Sequence, residues 1–155
     1  MRTSLLHEAA GLRTFAVVLS HGDDPMPLLQ AFAVDHRLGA SHFQAIGAFS
    51  AAVVAYFDWE TKKYRQIPID EQVEVLSMTG DITIDGDRPT VHAHVVLGKR
   101  DGAACGGHLV RATVRPTLEV VLVEAPRHLR RRFDPESGLA LIDPGVWVPR
   151  APERQ

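Results

Sequence analysis

The chain has 155 residues, 45% of them hydrophobic and 23% charged, and a formal net charge of -2 at pH 7. That length suits one domain, because two separate cores would each be short of apolar surface, and the composition excludes a chain disordered throughout. A slightly acidic protein lacks the overall positive field that phosphate binding exploits, and a single cysteine, Cys105, excludes an intrachain disulfide and a thiolate-rich zinc site.

The opening residues, "MRTSLLHEAAGLRTF", break their apolar run at His7 and Glu8, too early for a secretory signal core. No later run is apolar for the roughly 18 residues that a membrane span requires. Residues 1–12 are read as an N-terminal extension and the protein as cytoplasmic, with no membrane partner. "TFAVVLS" is a short β-branched and aromatic run, the pattern of a buried strand. A helix of about three turns follows in "GDDPMPLLQAFAVDHRLGA": Asp24 caps it, Pro25 suits its first position, Leu28, Leu29 and Phe32 repeat at helical spacing, and Gly39 ends it.

Strands then dominate: "SHFQAIGAF", "AAVVAYFD", "KYRQIPI", "VEVLSMTG", "DITIDG", "TVHAHVVLG", "GHLVRATV" and "TLEVVLVEA", separated by Asp-Gly, Gly-Asp and proline signals. One early helix and a strand-rich remainder predict an α+β domain over residues 13–143, the helix covering one face of a mostly antiparallel, strongly bent β-sheet. Residues 144–155 form a proline-rich tail expected to lie over the surface or a neighbouring subunit.

Three of the eight histidines fall in "TVHAHVVLGKRDGAACGGHLV". His92 and His94 are two apart, so in a strand they leave the same face. If "RDG" is a three-residue hairpin loop with Gly102 left-handed, Lys99 pairs with Ala103 and His94 lies opposite His108, with His92 diagonal to it. Three converging imidazoles suit a zinc ion with an open fourth position. Two alternatives stay open: a bulge at Gly106 or Gly107 shifts the register by one residue, or each ring is half exposed and bonded to backbone or water.

Other candidates are Glu74 and Glu119, each interrupting an apolar strand. They suit solvent exposure, arginine pairing, orientation of a metal-bound imidazole, or service as the base of a metal-dependent reaction. The cluster Arg127, Arg130, Arg131 and Arg132 suits either a solvated or subunit-contacting segment or a phosphate contact. Cys105 reads as a buried structural thiol, and His21 and His36 as solvated or helix-end groups.

The ordered set "GDDPMPLLQAFA", "QVEVLSMTGDIT", "HAHVVLGKRDGAACGGHL", "PTLEVVLVE" and "RRFDPESGLALI" resembles the plants-and-prokaryotes conserved (PPC) domain, which in plants accompanies AT-hook motifs; the likeness spans about residues 13–143. The resemblance implies a homotrimer, DNA-associated regulation, and in some prokaryotic members a metal at the positions of His92, His94 and His108. It also implies partner contact along Gln72, Val73, Glu74, Val75, Leu76 and Ser77. The chain lacks the Arg-Gly-Arg core with which the plant proteins enter the minor groove. Against a DNA-associated module stands a zinc-dependent enzyme of hydrolase or lyase type, or a small-ligand-binding protein, using the histidines. No phosphate-binding loop, nucleophile elbow or metalloprotease motif names a substrate.

Overall fold

Asp24 accepts a hydrogen bond from the Met26 backbone N–H at 3.1 Å and starts helix α1 (Pro25–Asp35), with proline in its first turn. The fold is that of a computed structural model and is described over residues 1–145. Its end differs from expectation. Arg37 takes the left-handed conformation, φ 51°, and the Arg37 and Leu38 amides donate to Val34 at 3.1 Å and Ala33 at 2.9 Å. These are the paired bonds of a Schellman motif, closed by burial of Leu38. Gly39 is needed instead for close approach, because a Cβ there would lie 2.9 Å from the His128 ring.

The strands are β1 (Arg2–Ala9), β2 (Leu12–Ser20), β3 (Ala40–Asp58), β4 (Lys63–Ile69), β5 (Val73–Asp85), β6 (Arg88–Gly98), β7 (Ala104–Glu124), β8 (Arg130–Asp134) and β9 (Leu139–Asp143). Three pairs of short strands expected from the sequence are each one long strand, β3, β5 and β7. Gly80 explains the case of β5. It does not turn the chain; it lets the Phe43 ring lie across the strand, where a Cβ would come within 2.3 Å of it. In β3 the irregularity between Ala45 and Gly47 is absorbed as a bulge in the ladder.

The strands form one sheet in the order β1-β2-β7-β3-β5-β8-β9, with β4 on β3 and β6 bonded to both β5 and β7. Every pairing is antiparallel except the single parallel bridge between Ile84 of β5 and Arg130 of β8. The expected N-terminal extension contains β1, whose residues are all exposed and pair with β2. Most of the expected tail, residues 146–155, lies outside the described residues.

Helix α1 packs on β6 and β7, and Leu19, Leu29, Phe32, Phe43, Phe49, Leu118 and Leu122 are buried in the core. Each such side chain contributes roughly 1.5–3 kcal/mol of transfer free energy. Gln30 fastens the helix to β6, its amide donating to the Pro89 carbonyl at 2.7 Å and accepting from the Val91 N–H at 3.1 Å. One side-chain amide thus supplies the two bonds that a neighbouring strand would supply. Among the described residues no helix lies on the opposite face of the sheet, which presents His42, Gln44 and Ile46 of β3, Thr79 of β5 and His94 and Val96 of β6 as exposed residues. No helix among the described residues is long and apolar enough to cross a membrane.

Candidate metal centre

The β6–β7 hairpin has the register that its turn predicts. The Lys99 N–H donates to the Ala103 carbonyl at 2.8 Å, Gly102 is left-handed at φ 83°, and the ladder runs unbroken from Gly98 opposite Ala104 to His94 opposite His108. Gly106 and Gly107 therefore do not shift this pairing. At Gly106 the need is space: a Cβ would lie 2.2 Å from the Val95 carbonyl oxygen. The ladder irregularity lies on the other side of β7, where Val53 and Val54 of β3 pair with Arg111 and Leu109.

This register brings His92, His94 and His108 together on the uncovered face. One ligand-capable atom from each lies within 4.8 Å of the others, and the ring centroids are 5.0 Å (His92 to His94), 5.1 Å (His92 to His108) and 5.5 Å (His94 to His108) apart. Nitrogens sharing a tetrahedral zinc at bonds of about 2.0–2.1 Å stand about 3.3 Å apart, so modest side-chain rotation closes the set. His108 is further enclosed by Tyr64 of β4, with ring centroids 4.9 Å apart. Its Nδ1 is buried with no hydrogen-bond partner among the described residues.

The electrostatics favour neutral rings at His94 and His108. Burial pushes His108 down to about 4 from the ordinary 6.5, and the neighbouring His92 and His94 add to that. Burial also lowers His94, helped by His92 and opposed by Asp81. Neutral imidazole is the form that binds a metal. The donor set, its convergence and the orphaned nitrogen of His108 all fit a transition-metal ion.

A carboxylate does orient one of the imidazoles, but it is neither of those expected. Asp81 of β5 stands directly opposite His92 of β6, and its Oδ2 is 3.3 Å from the imidazole Nδ1. Burial opposes ionisation of Asp81, yet its bonds with His92 and Arg131 outweigh that and hold its carboxyl below the usual range. Glu74 and Glu119 are both exposed; Glu119 lies on β7 opposite Val18 and Ile46, on the far side of β3 from this hairpin. Counting back from the Gly86-Asp87 turn, which pairs Asp85 with Arg88, reaches Asp81 opposite His92.

The other candidates disperse. Along 72–77, Val73 and Val75 are buried while Gln72, Glu74, Leu76 and Ser77 are exposed, with a bulge at Leu76. Of the arginines, Arg127 lies in the loop before β8, Arg130 donates to the Gly86 carbonyl at 3.3 Å and Arg132 pairs with Asp143 at 3.0 Å. Arg131 is turned inward onto Asp81 at 2.6 Å. Cys105 is partly buried against the core. His36 caps the helix C-terminus with its ring centroid 4.2 Å from that of Phe32, and His21 lies exposed in the turn after β2.

The chain is similar to a metal-containing protein from Archaeoglobus fulgidus, with 34% identity, a TM-score of 0.78 and coverage of 92% of this chain and 99% of that one. It is similar to a plant- and prokaryote-conserved protein from Pyrococcus horikoshii at 28% identity, TM-score 0.78, over 92% of this chain and 94% of that one. It also resembles a Ralstonia eutropha structure named "Putative DNA-binding protein", at 29% identity and TM-score 0.78 over 83% and 90% of the two chains. No curated protein matches it. Residues 6–126 match the family model described as the Plants and Prokaryotes Conserved domain, and the chain belongs to that family.

Proposed function

We propose that the protein is a homotrimeric metal-binding member of its family and that it works through a zinc ion held by His92, His94 and His108. The observation that carries this reading is the convergence of three imidazoles within 4.8 Å on a sheet face that no helix among the described residues covers. A zinc ion held there supplies Lewis acidity toward a carbonyl or phosphoryl oxygen and acidifies water, the chemistry of hydrolases and lyases. The chain's own residues do the rest. Asp81 orients His92, Tyr64 shields His108 from solvent, and the exposed side of His94 leaves the centre open to a small ligand. The Archaeoglobus fulgidus relative, called metal-containing, supports the same reading.

Trimer formation rests on the family and on the apolar side chains left on the same face. Ile46 is 62% exposed, Val121 52% and Val96 45%, a cost in water that a subunit contact removes. Metal analysis of untagged protein, before and after zinc addition, tests the centre. About one zinc per chain is expected, and a protein that stays empty after zinc addition overturns the reading.

A DNA-associated regulatory role is the second reading, favoured by the name of the Ralstonia eutropha relative. The arginine cluster gives it little support, because Arg130, Arg131 and Arg132 all have partners within the chain. Phosphate contacts strengthen as salt falls, so a gel shift with no retention at low salt eliminates it.

A further inference from the structure

The guanidinium of Arg131 meets three acceptors from two strands, β5 and β9. Its Nε donates to the Thr83 hydroxyl of β5 at 2.7 Å, its Nη1 to the Ala140 carbonyl of β9 at 2.9 Å, and its Nη2 to Asp81 Oδ1 at 2.6 Å. The side chain is only 10% exposed and Thr83 is fully buried. Since the Thr83 hydroxyl accepts from Arg131, its own proton is free to go to Asp81 Oδ1, 3.3 Å away. One oxygen of Asp81 is thus held twice, and that sets the direction of the other, which meets His92 Nδ1.

An ionised carboxylate only accepts hydrogen bonds, so His92 must carry its proton on Nδ1, which leaves the lone pair on Nε2. We propose that Arg131 is the positioning residue of the metal centre: by fixing Asp81 it holds His92 in the tautomer that offers Nε2 to the ion. This rests on the metal-centre reading above. Arg131 lies on the β8–β9 hairpin, beyond the residues 6–126 that match the family model. That hairpin, joined to β5 through one backbone bridge, thereby acts on the site through a single side chain.

Two measurements on the full chain separate this proposal from the reading beneath it. The first is the His92 tautomer in metal-free protein, read from the imidazole nitrogen shifts by NMR; the second is Co²⁺ affinity, read from the visible absorption of the tetrahedral ion. Arg131→Met is expected to lose the Nδ1–H preference of His92 and to bind Co²⁺ roughly 10- to 100-fold more weakly, the range for loss of a ligand-orienting partner. Arg131→Lys keeps the charge without the planar fork, and an intermediate loss of roughly 3- to 10-fold is expected. Arg132→Met is the control, since Arg132 is on the same hairpin with a side chain 80% exposed and paired to Asp143.

Wild-type tautomer and affinity in Arg131→Met overturn the proposal. If that variant does not fold, Arg131→Lys decides, and wild-type values there overturn it equally. An Arg132→Met loss as large as that of Arg131→Met also overturns it, by assigning the effect to hairpin docking. Absence of cobalt absorption in the wild type defeats the metal reading alone, because the tautomer comparison needs no metal.

Discussion

Asp81 and His92 face each other across the β5–β6 ladder, and the carboxylate Oδ2 lies 3.3 Å from the imidazole Nδ1. A metal-binding histidine commonly gives its second nitrogen to such a carboxylate, which fixes the ring and raises its basicity. The same row continues through His42 of β3, directly opposite Asp81 on its other side. Asp81→Asn keeps the shape but loses the charge, and the amide can present either its oxygen or its NH₂ to the ring. Zinc affinity is expected to fall roughly 10- to 100-fold. Competition with a chromophoric chelator measures it, and an unchanged constant would show that Asp81 does not support the site.

His108→Ala removes one of the three candidate ligands and is expected to leave the fold, because the ring packs against Tyr64 and its histidine neighbours and not within the hydrophobic core. A ligand that binds only the folded chain stabilises it by about 2.7 kcal/mol at a hundredfold excess over Kd, which for a domain of this size raises Tm by roughly 5–10 °C. Wild-type protein is expected to show that rise on zinc addition and His108→Ala to show none. Thermal unfolding followed by circular dichroism checks both.

The pH dependence of the metal-free protein follows from the depressed pKa of His108, about 4 against 6.5. Between those values the unfolded chain takes up the proton and the folded chain does not, so folding stability is full above 6.5, falls as the pH drops toward 4, and then levels for this group. Urea unfolding across this window is expected to show a shallower fall in His108→Asn than in the wild type. Parallel curves for the two proteins would contradict the assignment.

Gly106→Ala places a methyl group 2.2 Å from the Val95 carbonyl oxygen, which is backbone and cannot rotate away. The two strands must separate where they carry His94 and His108. A loss on the order of 3 kcal/mol is expected, together with weaker zinc binding. Denaturant titration reads the first effect and chelator competition the second.

Glu124 is 2% exposed and accepts from the Gly39 and Ala40 amides at 3.0 and 3.2 Å and from the Ser41 hydroxyl. Glu124→Ala leaves these donors buried without an acceptor, and a destabilisation on the order of 3 kcal/mol is expected from equilibrium unfolding. Zinc stoichiometry should be unaffected, since Glu124 pairs with Ser41 and Arg13, away from the β6–β7 hairpin.

Local rules sufficed for the helix start at Asp24 and Pro25 and for the hairpin that sets His94 opposite His108, because a cap and a short turn are determined by a few adjacent residues. The alternation along β7 also separates its acids: Glu124 shares a face with Leu118, Val120 and Leu122, whereas Glu119 faces outward. The helix end was less legible, because a left-handed residue is usually glycine and here Arg37 takes that place.

Long-range partners belong to the tertiary structure alone. Whether Gly80 turns the chain or admits Phe43 depends on a strand far away in sequence, and the sequence pattern of a turn and of a close approach is the same glycine. Arg131 reads as one member of a surface cluster until the β8–β9 hairpin docks beside β5 and carries its guanidinium 50 residues back to Asp81. By itself the sequence put three imidazoles on one short hairpin and left its register open to a bulge at Gly106 or Gly107, and the ladder of the folded chain brought them together. The Gly86-Asp87 turn also sets Asp81 opposite His92, but only the fold decided that Arg131 holds that carboxylate, because no local signal specifies how the β8–β9 hairpin docks beside β5.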